Sequence, residues 1–107
     1  MSYYCYFITT FPNKQMKTYI GITNDLERRI LQHNRIIKGG AKCTRMYSNW
    51  KYCLVLDHFQ NKSDAGSFET QWKNMNDKKS GIGFKMCNLF TLLADPRWKN
   101  IKINFDY

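Results

Sequence analysis

Tyr19-Ile20-Gly21, followed closely by Asp25-Leu26-Glu27-Arg28-Arg29-Ile30-Leu31-Gln32-His33-Asn34, is the most informative run in the chain. A short β-prone segment ends on a glycine and gives way at once to a helical pattern. Thr23-Asn24 opens the helix, with Asn24 placed to cap it and Glu27 three residues on to complete a reciprocal capping arrangement. Leu26, Ile30 and Ile37 form its apolar stripe. Arg29 and His33 stand four residues apart, so a helix carries them on one face. At about 100° per residue, His33 falls roughly 40° and Arg29 roughly 80° from the centre of the stripe. A tyrosine at a strand end, facing an arginine and a histidine on the next helix, has the parts needed to hold and attack a phosphate.

Working outward, Tyr3 to Thr9 is dense in aromatic and β-branched residues and reads as a first strand. Phe11-Pro12-Asn13-Lys14-Gln15 supplies turn chemistry, and Lys17 to Ile22 returns as the second strand of an antiparallel hairpin. After the first helix, Lys38-Gly39-Gly40-Ala41-Lys42 starts a polar loop that runs to Asn49. Trp50 to Phe59 is the strongest strand, centred on Cys53-Leu54-Val55-Leu56. Asn61-Lys62-Ser63 leads into a second helix with Ala65, Phe68, Trp72 and Met75 on one face. Asp77 to Gly83 reads as a loop, and Phe84 to Ala94 as a third helix stopped by Asp95-Pro96. Lys99 to Phe105 alternates basic and apolar residues and reads as extended. The expected fold is α+β: a three-stranded antiparallel sheet flanked by helices, in the order ββαβα plus a C-terminal helix, over a single domain spanning residues 1–107.

The balance of charge is strongly basic, with 17 Lys plus Arg against 8 Asp plus Glu and a formal charge of +9 on 107 residues. So large an excess costs stability by self-repulsion, and its commonest use is to meet a polyanion, usually nucleic acid. Cys5, Cys43, Cys53 and Cys87 form no C-x-x-C pair, and His33 and His58 do not sit at zinc-finger spacing. The N-terminal apolar run is too short for a signal peptide, and no window approaches a membrane span. Reduced thiols and an intracellular location, nucleus or cytoplasm, are the expectation, with no membrane as partner.

Glu69 borders the apolar stripe of the second helix as Arg29 borders that of the first. Charged groups at core borders on two helices flanking one sheet can converge on a half-buried cleft, where electrostatics act strongly. Taken singly, each has a plainer reading: an arginine whose stem covers apolar surface, a surface glutamate, a core-edge histidine.

The same residues resemble the GIY-YIG nuclease superfamily. Tyr19-Ile20-Gly21 matches its second-strand motif without change. Asp25-Leu26-Glu27-Arg28-Arg29-Ile30 matches its helix segment, which places the family's catalytic arginine on Arg29, and His33 matches a histidine often found four residues later. Glu69, within Ser67-Phe68-Glu69-Thr70-Gln71-Trp72, matches the metal-binding glutamate. The first-strand motif departs: it reads Tyr4-Cys5-Tyr6, keeping the tyrosine while Gly and Ile are replaced. Gly39-Gly40-Ala41-Lys42-Cys43-Thr44-Arg45 with Trp50, and Asp95-Pro96-Arg97-Trp98-Lys99-Asn100-Ile101, are similar to segments of the eukaryotic and viral branch of structure-specific endonucleases. The family's late asparagine has Asn88 as its nearest counterpart.

The resemblance implies a metal-dependent DNA endonuclease acting on branched or flapped DNA and leaving a 5′-phosphate and a 3′-hydroxyl. It also implies Tyr6, Tyr19, Arg29, His33 and Glu69 as the catalytic set. Glu69 would be the ligand of Mg²⁺ or Mn²⁺, hard ions that keep several waters. Tyr19, Tyr6 and His33 remain alternatives for handling the proton of the attacking water. Arg28, Lys38, Lys42, Arg45 and Lys51 are the expected nucleic-acid contacts. Neutralising roughly five phosphates with them would make affinity fall about as the fourth to fifth power of salt. That branch adds a RING-like C-terminal domain, expected to be absent here, and works with a scaffold subunit; a scaffold or a homodimer is therefore an expected partner. A non-catalytic nucleic-acid-binding module of the same fold is the alternative, and a basic structural protein of a ribonucleoprotein or virion is a third.

Overall fold

The structure, a computed structural model, describes residues 2–10, 17–44, 46–75 and 82–105. The aromatic and β-branched run Tyr4–Thr10 forms β1, which is buried from Cys5 onward because it is the inner strand of the sheet. β2 (Thr18–Thr23) pairs antiparallel on one side of it and β3 (Trp50–Asp57) on the other. β4 (Lys102–Asn104) adds to the outer side of β3, giving the order β2-β1-β3-β4. The α+β class and the antiparallel sheet are as expected, but the sheet has four strands rather than three. The fourth comes from the alternating segment near the C-terminus, of which only Lys102–Asn104 pairs.

Both faces of the sheet are covered, so β1 reads as continuously apolar rather than alternating. Cys5 and Phe7 point to one face, where Ile20, Leu54, Leu56, Ala65, Phe68, Trp72 and Leu89 close the main core. That face carries α2 (Lys62–Asn74) and α3 (Ile82–Leu93). Trp98, in a short 3₁₀ turn at Pro96–Trp98, packs edge-on against Phe68 and Phe59 to seal it. Tyr6 and Ile8 point to the opposite face, where Leu26, Trp50 and Val55 gather beneath α1 (Leu26–His33). A bulge at Cys53 lets Leu54 pair with Phe7 while Tyr52 pairs with Ile8. The extra residue moves Tyr52 and Trp50 to the α1 side although they share even numbering with Leu54.

The caps fix where the helices begin. Asp25, not Asn24, caps α1: its backbone is extended and its Oδ1 accepts from the Arg28 N–H at 3.1 Å. Arg35, at φ 61°, turns the chain into the left-handed region after His33. The helix therefore ends before Ile37, which is 38% exposed and not part of the stripe. Asn61 caps α2 as its position suggests, accepting from the Asp64 N–H at 2.8 Å. Met75 lies one residue past that helix, and Ile82 and Gly83 belong to α3 rather than to a loop. The turn expected at Phe11–Gln15 and the start of the Asp77–Gly83 loop lie outside the described residues. Cys5, Cys53 and Cys87 are free thiols. Among the described residues no helix is long and apolar enough to cross a membrane.

Candidate active site

The β1–β2 register sets Tyr6 directly across from Gly21. The Tyr6 phenol lies over the β2 backbone at that point. A Cβ on residue 21 would sit 2.5 Å from Tyr6 Oη and 2.7 Å from its Cζ, so only glycine allows the ring to rest there. Tyr19, two residues back on β2, shares that face. Its ring stands 6.4 Å from the Tyr6 ring and 5.1 Å from the His33 ring, centroid to centroid. Tyr52 closes the other side of Tyr6 in a T-shaped contact at 5.6 Å.

Helix α1 delivers Arg29 and His33 to the Tyr6 hydroxyl from above. His33 Nε2 is 2.6 Å from Tyr6 Oη, and the Arg29 Nε–H donates to the same oxygen at 3.3 Å. On the far side of the imidazole, His33 Nδ1 is 2.9 Å from Thr44 Oγ1, whose own hydroxyl is 2.9 Å from the Ala41 carbonyl. One proton arrangement satisfies every donor. Thr44 donates to Ala41 O, His33 Nδ1–H donates to Thr44, and Tyr6 O–H donates to the Nε2 lone pair. Reversing the chain would point the His33 Nε2–H and the Arg29 Nε–H at Tyr6 together. The buried Tyr6 proton would then have no acceptor, a cost of about 1–3 kcal/mol.

Charge and burial tune this pair in opposite directions. Burial pushes the Tyr6 phenol above its usual range, partly offset by the hydrogen bond and charge of Arg29. Burial, helped by the Arg29 charge, lowers His33 to about 4. Both groups are therefore neutral at neutral pH, with the imidazole lone pair ready for a proton.

Arg29 is held in place by its own bonds. Besides Tyr6, it donates through Nη1 to Gln32 Oε1 at 2.8 Å and to the Gly39 carbonyl at 2.9 Å. Its Nη2 makes no bond to any described residue, so one end of the planar fork stays available to an anion. The Gly39-Gly40 pair makes this possible. Gly39 sits at φ 112°, and a side chain there or at Gly40 would collide with Gln32. The glycines thus bring the loop close against the end of α1 and turn a carbonyl onto Arg29. Asn34 fastens the same region to the sheet, accepting from Trp50 N at 2.6 Å and donating to Trp50 O at 3.0 Å. The Trp50 indole donates to Thr44 O at 3.1 Å.

Glu69 comes from the other face. It is half-buried on α2 and pairs with Lys73 at 3.2 Å, and Lys73 Nζ stands 5.0 Å over the Tyr19 ring. The carboxylate is near enough to raise the Tyr6 pKa in its own right, although it is the smallest of the influences there. Because β2 is an edge strand, α2 reaches around it to the rim of the cluster.

The basic residues divide. Arg28 and Arg29 line a groove of about 360 Å³ together with Thr23, Gln32 and Lys62. Lys38 lines a neighbouring groove of about 470 Å³ with Gln32, Arg35, Gly39 and Gly40. Lys42 is exposed in the 3₁₀ turn that holds Thr44. Lys51 does not flank this site. It pairs with Thr9, which shares the Cys5–Phe7 side of β1, so its side chain projects from the opposite face of the sheet. Arg45 lies outside the described residues. Asn88 donates to the Met75 carbonyl at 3.2 Å and so ties α3 to the end of α2.

Four contributors were not singled out from the sequence. Gln32, three residues after Arg29, and Lys73, four after Glu69, follow from helical spacing. Thr44 and Lys62 meet the site only through tertiary contact and carry no such signature.

Comparison with known proteins identifies the family. Residues 2–82 match the model of the GIY-YIG catalytic domain. Uncharacterized protein L300 of Acanthamoeba polyphaga mimivirus is 36% identical over 104 residues, covering 95% of this chain and 56% of the relative. Structure-specific endonuclease subunit slx1 of Aspergillus terreus is 33% identical over 82 residues, covering 76% of this chain and 21% of the relative. The Structure-specific endonuclease subunit SLX1 homolog of Giardia intestinalis is 42% identical over 69 residues, covering 64% of this chain and 19% of the relative. The chain thus spans about half of the viral relative and about a fifth of these two eukaryotic ones. With the family model covering both strands, α1, β3 and α2, and with its tyrosines, glycine and arginine gathered at one place, the chain belongs to the GIY-YIG catalytic domain family.

Proposed function

We propose that this chain is a metal-dependent DNA endonuclease, structure-specific on branched or flapped DNA. One observation carries the reading: the Tyr6 hydroxyl is held between His33 Nε2 and the guanidinium of Arg29, and Arg29 keeps a free edge toward a basic groove. That edge binds a non-bridging phosphate oxygen, and Arg28 and Lys62 hold the strand beside it. Tyr6 takes a proton from the attacking water as it passes its own to His33 Nε2. The water oxygen bonds to phosphorus, the bond to the 3′ oxygen breaks, and that oxygen leaves with a proton from solvent. The products are a 5′-phosphate and a 3′-hydroxyl. Tyr19 packs on His33 and lines the approach.

Glu69 would hold Mg²⁺ or Mn²⁺. A lone, half-buried carboxylate fits such ions, which take one or two carboxylates and fill their remaining positions with water and substrate phosphate. Among the described residues no group of three or more His, Cys, Asp or Glu is placed to hold a metal. A bound ion of this kind supplies charge neutralisation at the phosphate. Lys73, paired with Glu69, holds the carboxylate until then. An intracellular location, and a scaffold subunit or second copy as partner, belong to the same proposal; two of the relatives are named as subunits.

The test is incubation of purified protein with branched, flapped and linear DNA, with Mg²⁺ or with chelator. Glu69→Gln should lose cleavage by at least about 100-fold and keep DNA binding, since it removes a charge that repels the substrate. Binding of branched DNA without nicking under any metal would support the non-catalytic module instead.

A further inference from the structure

We infer that Thr44 is a positioning residue that fixes the tautomer of His33, and thereby makes the imidazole an acceptor for the Tyr6 proton. The inference rests on the proposed nuclease reading for its effect on cleavage, but its core is a statement about protons in the folded protein.

Thr44 is 1% exposed and its hydroxyl cannot turn freely. Its backbone N–H donates to Ala41 O at 3.1 Å, its side chain donates to the same carbonyl at 2.9 Å, and its own carbonyl accepts from the Trp50 indole. With its single hydrogen given to Ala41, Oγ1 can only accept from His33. His33 must then carry its proton on Nδ1 and present a bare Nε2 to Tyr6, 2.6 Å away. The groups facing the imidazole are Tyr6 from β1, Tyr19 from β2 and Arg29 from its own helix. None of these accepts a proton from Nδ1, so the tautomer is set at Thr44 alone.

Without that hydroxyl the imidazole can shift its proton to Nε2 and point it at Tyr6. The Tyr6 proton then has no acceptor, and the phenol can no longer take one from water. Geometry around phosphate would be unchanged.

The experiment combines spectroscopy with kinetics. The chain has two histidines, His33 and His58, so ¹⁵N-histidine spectra of the parent and of His58→Gln assign the ring nitrogens. The parent should show His33 protonated at Nδ1 and bare at Nε2 at neutral pH. Thr44→Val should populate the Nε2–H form and lower kcat on branched DNA by about 10- to 100-fold, with KM within about 2-fold. Thr44→Ser, which restores the hydroxyl, should recover both the Nδ1–H spectrum and most of the rate. A parent His33 protonated at Nε2, or a folded Thr44→Val that keeps the Nδ1–H spectrum, overturns the inference. The spectra decide it even if no variant cleaves DNA, an outcome that would count against the nuclease reading alone.

Discussion

At the scale of single residues, the site depends on groups that contribute by what they lack as well as by what they carry. Gly21 contributes an absent Cβ. Gly21→Ala should displace the Tyr6 ring, destabilise the protein by about 1–3 kcal/mol and cut cleavage sharply, as denaturant unfolding and a nicking assay would show. His33 contributes an uncharged ring. Its pKa falls from 6.5 in the unfolded chain to about 4 when folded. The unfolded state therefore binds more protons between those values, and stability rises with pH across that window. Full stability is present above about pH 6.5, and about 3 kcal/mol is lost as the pH falls toward 4. His33→Gln should flatten that part of the stability–pH curve. Tyr19, Arg29 and His33 were legible because one strand end and one helix face bring them together locally. Glu69 was legible from its place at the border of the second helix's apolar stripe, whereas Tyr6 was legible only through resemblance, since nothing local joins it to Arg29. Thr44 was not legible, because its role comes from the fold of a loop in which its neighbours in sequence are unrelated to its function.

At the scale of elements, register decides more than composition. Lys51 looked like a contact for nucleic acid because it is basic and follows a basic loop. Pairing with Thr9 sends it to the other side of the sheet. Lys62 had no such advertisement, yet the start of α2 places it in the Arg28–Arg29 groove. The two lysines therefore make a matched pair. Lys62→Ala should lower the slope of log affinity for DNA against log salt by about 0.7–0.9, and Lys51→Ala should leave it nearly unchanged. Binding titrations at several salt concentrations would separate them. The starts of the first two helices were readable to within a residue, the shift from Asn24 to Asp25 arising because both residues are competent caps, whereas α3 begins two residues earlier than expected, at Ile82 rather than Phe84. The helix stop was less readable: Arg35 in a left-handed conformation is not a residue that announces a break.

At the scale of the whole molecule, three layers share one inner strand, and its two faces do separate work. Cys5 and Phe7 bind β1 to the main core beneath α2 and α3, while Tyr6 looks the other way toward α1. The class of fold was legible from the order of its elements. The segment of the fourth strand was legible as extended, but its joining the sheet was not, since only three residues of it pair with β3. The division of the cluster between β1, which carries Tyr6, and α1, which carries Arg29 and His33, has a thermal consequence. Amide protons of a strand bonded on both edges exchange with solvent through global opening, while a helix of 8 residues on the outside of a sheet is freed by smaller fluctuations. Warming should thus part Arg29 and His33 from Tyr6 before the sheet melts. Deuterium uptake in α1 and loss of turnover should rise together, several degrees below the temperature at which β1 begins to exchange.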